Sequence, residues 1–246
     1  MKTIIKIFII VYIFLGYQDS QSQIFSLASV YEGLSLSITG NYISSASIQL
    51  YPNSNNIVER NSFEELTGGY GYGVSLRKKF FRDDLFVGIT TEYIEIEDNE
   101  LTQLIQSDTN YLKVRATERI WMIPIEMSLI FNVPSITDEL RVYLGGGIGV
   151  YFGNRVRKIL GMETETKSKD ALLNIHVLSG LEYFFEDNLS AMFEVRFRQA
   201  QYRVESSYPT GEAVIEGRTY TFEQNLNSKI FVDGLKLSLG IVYYFN

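Results

Sequence analysis

The chain has 246 residues and a net charge of −7 at neutral pH, which suits one sizeable β domain or two small ones. It has no cysteine, which excludes disulfides, thiolate metal sites and a cysteine nucleophile. The acidic balance argues against a nucleic-acid-binding surface.

The N-terminus predicts a cleaved export signal. Two lysines form a positively charged first region, residues 7–15 form an apolar run, and Ser20 and Ser22 take the positions of small residues before a cleavage site. The apolar run is too short for a transmembrane anchor, and no charged stop follows it. We therefore predict a signal peptide at residues 1–22 and a mature protein at 23–246.

Eight later segments alternate apolar and polar residues with the period of two that predicts a strand with unlike faces. In chain order they are residues 31–44, 69–80, 85–96, 119–131, 141–152, 172–184, 189–202 and 235–245. The last segment is long enough to cross a bilayer at a tilt, which takes roughly 9–11 residues. In the third segment the pattern inverts after Tyr93, which we interpret as the strand leaving a membrane or as a bulge. Pro124 lies inside the fourth segment and predicts an edge or a bulge there.

Short and long connections between these segments alternate without exception. The connections after the second, fourth and sixth segments are short, and the long ones are residues 45–68, 97–118, 153–171 and 203–234. Transmembrane barrels combine short periplasmic turns with long extracellular loops and an even strand number. The pattern therefore predicts an all-β fold, an eight-stranded antiparallel up-and-down transmembrane β-barrel. In the long loops, residues 215–223 predict a hairpin above the membrane and the mixed-charge residues 163–170 predict a solvated segment.

The two faces of the predicted strands differ in charge. The apolar faces carry almost none, so we assign them to lipid and the opposite faces to the lumen. We predict a lumen network of ion pairs and hydrogen bonds formed by Arg77, Glu92, Glu126, His176, Glu182, Glu194, Arg196, Arg198 and Lys236. Because side chains just fill an eight-stranded barrel, we expect no wide aqueous pore.

Aromatic residues lie near both ends of the apolar faces, where a membrane would have its interfaces. Near the predicted outer ends are Tyr42, Tyr70, Tyr72, Tyr93, Trp121 and Phe152. Near the predicted inner ends are Phe80, Phe131, Tyr183 and Phe245. Two such girdles are expected of a transmembrane barrel.

The mature chain, residues 23–246, resembles the eight-stranded outer-membrane β-barrel families of the OmpA transmembrane domain and OmpX type. The resemblance rests on GYGYGVSLRKKF with a tight FRDD turn, on IPIEMSLIF, on YLGGGIGVYF, and on the closing LKLSLGIVYYF. It implies one barrel domain in a bacterial outer membrane, in contact with outer-membrane lipid. It also implies that the barrel assembly machinery recognises the C-terminal strand and that the protein needs no catalytic residue. We expect no cofactor and no metal, because His176 is the only histidine and cysteine is absent.

Three functions stay open. The first is a structural outer-membrane barrel that supports envelope integrity, with long extracellular loops available to a surface ligand. The second is a narrow porin-like channel or small-solute transporter. The third is a soluble lipocalin-like binding protein, which requires an apolar lumen and a polar exterior.

An enzymatic function is not expected. His176 could act with Ser128 or Ser179 and with an acid, but alternation points His176 and Ser128 inward and Ser179 outward, so no lipid-facing triad forms. Glu92 and Glu126 could serve as the carboxylate pair of a glycosidase, but inward-facing arginines would neutralise them. The segments GYGYG and GGGIGVYFG lack the helix and the Lys-Ser/Thr of a nucleotide-binding loop.

Overall fold

The computed structural model describes residues 33–245 except 109, 135, 136, 138 and 233. The predicted signal peptide lies outside the described residues. One short helix, α1, spans Ile57–Arg60, and no helix among the described residues is long and apolar enough to cross a membrane. The strands are β1 (Leu34–Ile43), β2 (Ala46–Gln49), β3 (Phe63–Leu66), β4 (Gly69–Phe80), β5 (Arg82–Gln106), β6 (Tyr111–Val133), β7 (Leu140–Ile159), β8 (Met162–Glu163), β9 (Glu165–Asp170), β10 (Leu172–Glu186), β11 (Leu189–Ser207), β12 (Glu212–Ile215), β13 (Arg218–Thr221), β14 (Asn225–Val232) and β15 (Leu235–Phe245).

Eight of these strands close into a ring. β1 pairs with β4, and the neighbours continue through β5, β6, β7, β10, β11 and β15, which pairs with β1 again. All of these pairings are antiparallel, which confirms the predicted eight-stranded up-and-down barrel. A closed ring has no open edge, so backbone N–H and C=O groups can pair on both sides of each strand.

Four of the ring strands extend well beyond their predicted outer ends. β4 and β15 have the predicted bounds, but β5 continues to Gln106, β6 begins at Tyr111 and β7 continues to Ile159. β11 also extends beyond its predicted end. The prediction of loops at residues 97–118, 153–171 and 203–234 is therefore wrong, because all three stretches consist mainly of strand.

The long strands continue past one end of the ring into a second region. We call this region the extension; it comprises residues 44–68, 95–119, 153–171 and 199–234. Here the outer part of β11 leaves β15 and pairs with β14 and β9, while β2 pairs with β14 and β3. The hairpin predicted around residues 215–223 is present as β12 and β13, with a turn at Glu216 and Gly217 in the left-handed region, at φ 50° and 76°. Such two-residue turns match the twist of paired strands.

The chemistry of the two strand faces inverts at one level around the barrel. In β5 the outward face changes from Tyr93 to Glu95, while the buried inward face changes from Glu92 to Ile94. The outward face changes at the same level in three more strands, between Arg119 and Trp121 in β6, after Phe152 in β7 and after Phe197 in β11. The ring is thus apolar outside and mainly polar inside, whereas the extension is mainly polar outside and largely apolar inside.

No bulge accompanies this inversion. The buried residues of β5 alternate without interruption from Phe86 to Asp98, and the register shift against β6 lies between Asp98 and Leu101. The interpretation of a bulge after Tyr93 is therefore wrong. Because alternation continues, the inversion is a change in which face is apolar rather than a change in backbone geometry.

Pro124 is an inward-facing, buried residue of β6, which has a neighbouring strand on each side. The predicted edge or bulge at this residue is wrong. Instead, the Cα pairing of β5 with β6 stops at Thr91 and Ile125 and resumes at Ile94 and Met122 without a shift of register. The gap lies opposite the proline, which has no N–H to donate to the ladder.

A glycine makes room for a buried tyrosine in the lumen. Gly180 of β10 is the Cα partner of Tyr143 of β7, and a Cβ atom at Gly180 would overlap the tyrosine ring. Tyr143 is fully buried. The close approach of ring and backbone therefore requires glycine at this position.

We expect Gly180→Ala to lower the free energy of unfolding by about 1–3 kcal/mol, the usual cost of overpacking. Gly40→Ala is the matched control, because a Cβ at Gly40 meets nothing within 4 Å. Urea unfolding in lipid vesicles, followed by the mobility of unheated samples on gels, measures both variants. Equal unfolding midpoints for the two variants would contradict the packing of Tyr143 on Gly180.

Candidate functional site: the barrel lumen and its outer extension

The structure places all nine predicted lumen residues inside the ring, and each is at least nine-tenths buried. They project from β4, β5, β6, β10, β11 and β15. The set comprises Arg77, Glu92, Glu126, His176, Glu182, Glu194, Arg196, Arg198 and Lys236.

Arg77 connects carboxylates from two strands. Its guanidinium donates to Glu182 Oε1 at 2.8 Å and to Glu194 Oε2 at 3.2 Å. The guanidinium carbon also lies 4.6 Å from the centre of the Tyr143 ring, and the Tyr143 hydroxyl donates to Glu194 at 3.1 Å. Both carboxylates are thereby held by hydrogen bonds to donors from other strands.

Arg196 continues the network toward the extension. Its Nε donates to Glu194 Oε1 at 3.0 Å, and its Nη1 donates to Glu126. Nη1 also lies 3.9 Å from Glu92 Oε1. One guanidinium thus links three carboxylates from three strands.

Glu92 accepts hydrogen bonds from two cations. Arg198 donates to its Oε2 at 3.1 Å, and Lys236 donates to its Oε1. Since Arg198 also lies 3.7 Å from Glu126, four cations and four carboxylates form one connected, charge-balanced network. Pairing of this kind offsets the large desolvation cost of each buried charge.

The wall next to these long side chains consists of small residues. The inward face of β1 carries four small, buried polar side chains, and that of β4 is partly glycine. The β1 residues are Ser35, Ser37, Thr39 and Asn41. This wall leaves room for the arginines that cross from β11.

The candidate catalytic residues do not form a triad. His176 Nε2 lies 2.8 Å from Ser128 Oγ, and its Nδ1 has no partner among the described residues. Ser179 is exposed on the outward face, and Glu182 accepts a hydrogen bond from Arg77. The imidazole therefore hydrogen-bonds a hydroxyl but has no acid to orient it.

The sequence reasoning missed three tyrosines that donate to the network carboxylates. Tyr143 donates to Glu194, Tyr151 to Glu126 and Tyr244 to Glu182. All three lie on the inward face. That position was the available signal, because a buried phenol hydroxyl needs a hydrogen-bond partner.

An apolar cluster lies inside the barrel between the charged network and the outer part of the extension. We call it the plug. It consists of Ile43, Ala46, Ile48, Leu66, Ile94, Ile96, Ile120, Met122, Tyr151, Ala200, Tyr202, Val204, Ile230 and Val232, none more than 5% exposed. These side chains fill the interior at the level where the strand faces invert.

A second group of buried charges lies in the extension, and the sequence reasoning missed it as well. Arg155 donates to both oxygens of Glu118, at 2.6 and 2.9 Å. Arg157 donates to Glu118 at 3.1 Å and to Glu64 of β3 at 3.1 Å. Burial raises the pKa of the neighbouring Tyr208 to about 12, so its phenol stays neutral. The sequence did contain a signal for this group. Arg155 and Arg157 alternate with outward-facing residues and so continue the inward face of β7.

The outside of the ring is an apolar belt of exposed side chains. It includes Ile38, Val74, Leu76, Ile123, Ile125, Met127, Leu129, Leu144, Ile148, Leu173, Ile175, Val177, Leu181, Phe193, Phe197, Leu239 and Ile241, each at least 36% exposed. At its edge the rings of Tyr42 and Tyr70 lie 5.3 Å apart, and those of Tyr72 and Tyr93 lie 5.5 Å apart. Soluble monomers rarely expose an apolar surface of this extent.

No protein-family model and no curated protein sequence matches this chain. Solved structures do match. The outer membrane protein OprG from Pseudomonas aeruginosa aligns with a TM-score of 0.56 at 11% identity, over 86% of this chain and 95% of that chain. The chain has the fold of the eight-stranded outer-membrane β-barrels.

Two further solved barrels align over similar lengths. Neisserial surface protein A aligns with a TM-score of 0.44 at 12% identity, over 87% of this chain and 97% of that chain. Ail, the attachment invasion locus protein of Yersinia pestis, aligns with a TM-score of 0.41 at 12% identity, over 86% of this chain and 97% of that chain.

In this barrel, Glu92→Gln removes a charge that two buried cations share. We expect the free energy of unfolding to fall by about 3–5 kcal/mol, because a buried charge then lacks its partner. Glu97→Gln makes the same change at an exposed site of the same strand and should alter stability by less than about 0.5 kcal/mol. Urea unfolding followed by fluorescence of Trp121, the only tryptophan, measures both. Similar losses in the two variants would contradict the lumen network.

Glu64→Gln removes the carboxylate that ties β3 to Arg157. We expect trypsin to cleave after Arg60 of the adjacent α1 about tenfold faster, because a hydrogen bond to a charged group is lost. Glu65→Gln, at the next and exposed residue, is the control. Timed digestion followed by mass spectrometry gives the rates, and equal rates for the two variants would show that the ion pair does not hold β3.

Proposed function

We propose that this protein is an integral outer-membrane protein of a bacterium, exported through a signal peptide at residues 1–22 that is then removed. The observation that carries this proposal is the inversion of the strand faces at one level. Lipid requires an apolar exterior with every backbone polar group paired, and a closed barrel meets both requirements. The tyrosines at the inversion level suit the membrane interface, where amphipathic rings are favoured. The extension then lies outside the cell.

We further infer that the barrel is sealed and that its role is structural or one of surface interaction. The charged network and the plug together occupy the lumen at successive levels. A narrow channel would need a continuous polar path, which the plug interrupts. A lipocalin-like binding protein would need a polar exterior, opposite to the belt.

The proposal includes three kinds of contact. The belt contacts outer-membrane lipid. The barrel assembly machinery recognises the closing strand β15, which ends in Tyr243, Tyr244 and Phe245. The extension is the surface that meets ligands outside the cell. No catalytic residue takes part in this role.

Cell fractionation and gel mobility test the proposal. We expect the protein to be in the outer membrane, to need detergent, and to run faster unheated than boiled, because a closed barrel stays folded in cold detergent. In planar bilayers we expect no steady conductance, with an open porin as the positive control. A soluble protein with unchanged mobility would refute membrane insertion, whereas steady conductance would refute only the seal.

A further inference from the structure

A polar cleft lies at the end of the extension furthest from the belt. Its volume is about 480 Å³, within the roughly 300–1,000 Å³ typical of small-molecule sites. One wall is the end of β5 and the following turn, and the other is β13. The lining residues are Gln106, Ser107, Asp108, Arg218, Thr219 and Thr221.

Three contacts hold the two walls in place. Thr221 is the Cα partner of Gln106 and donates through Oγ1 to the Gln106 carbonyl at 3.3 Å. The Ser107 N–H donates to the Asn110 carbonyl at 2.8 Å and closes the β5–β6 turn. Below, Tyr220 packs into an apolar cluster with Ile105 and Val114. The two walls are therefore joined at Thr221 and Gln106 and packed together below through Tyr220, while Ser107 and Asp108 lie in the β5–β6 turn.

The lining favours an uncharged ligand that is rich in hydroxyl groups. It offers one carboxylate, one guanidinium, one amide and three hydroxyls, so its formal charges balance. A bound anion would face Asp108, and a divalent cation would find a single carboxylate where such ions take several oxygens. The lining has no aliphatic or aromatic side chain for an apolar ligand.

An exposed tyrosine is paired with one of the lining residues. Tyr111 is the Cα partner of Gln106 on the same hairpin face, and it is 71% exposed. Directly opposed side chains in such a pair are neighbours. A pyranose ring presents hydroxyls at its edge and C–H groups on its face, and so it matches a polar cleft with an exposed aromatic ring next to it.

We propose that this cleft binds a neutral oligosaccharide outside the cell. Asp108 and the hydroxyl groups of the lining form hydrogen bonds with sugar hydroxyls, and Tyr111 stacks on a sugar ring. This assignment rests on the proposed outer-membrane orientation, because only then does the cleft face the surroundings of the cell. It names the ligand class for the surface-interaction role. Binding in the cleft does not depend on whether the lumen is sealed.

Saturation-transfer NMR on the full-length protein in lauryldimethylamine oxide tests the proposal, since that detergent carries no sugar. The probes are maltoheptaose, cellohexaose, mannotetraose, a galactose tetrasaccharide and chitotetraose. A heparin fragment, a polysialic acid fragment and a library of 12-residue peptides serve as competing classes. The variants are Asp108→Asn, Tyr111→Ala and the control Glu100→Gln, whose exposed carboxylate lies outside the cleft.

We expect at least one neutral oligosaccharide to bind with a Kd of about 1 mM or tighter. Asp108→Asn should weaken binding about tenfold through a lost charged hydrogen bond, and Tyr111→Ala should weaken it about fivefold. Glu100→Gln should leave binding unchanged. No binding of a neutral sugar at about 10 mM, binding of the charged or peptide probes alone, or equal affinity in Asp108→Asn overturns the proposal. Gel mobility of the same samples shows separately whether the barrel is intact, so failure of the cleft is distinguishable from failure of the proposed function.

Discussion

Pairing between β1 and β15 closes the ring, and the other features of the structure depend on that closure. The Cα pairs run without a shift from Leu34 with Phe245 to Ile43 with Lys236. Once the wall is closed, each side chain lies either outside or in the lumen, and successive residues alternate between the two. The arginines of β11 can lie inside because small residues line the lumen at β1, beyond the intervening β15.

The same strands form the ring and the extension, although the apolar face points outward in the ring and inward in the extension. In the ring most buried side chains are polar or charged, and the charged ones pair with one another. In the plug the buried side chains are apolar, as in the core of a soluble protein. β5 and β11 cross from the ring into the extension without a break in alternation, which continues to Asp98 in β5 and to Ser206 in β11. The boundary is therefore set by side chains rather than by a hinge, and the extension continues the barrel wall.

The strands of the ring were predictable because their alternation is local. The bounds of β4 and β15 could be read directly from the sequence. The outer halves of β5, β6 and β7 were not recognised as strands. Strands were predicted where one face is apolar and uncharged, and in these halves the outward face is polar. Charged residues such as Arg155 and Arg157 also made the segments resemble a loop. Pro124 predicted an edge strand, but β6 has a neighbour on each side. The missing backbone N–H of the proline is accommodated by one gap in the pairing of β5 with β6.

The sequence by itself determined which side of the wall each ring residue faces, because a period of two depends only on neighbours in the chain. Only the tertiary structure decided which inward residues meet. Arg77 and Glu182 are 105 residues apart in sequence, and Arg157 reaches Glu64 from a different strand of the extension. Such pairs depend on the register of every intervening strand and on how far each side chain crosses the lumen, and local alternation specifies neither.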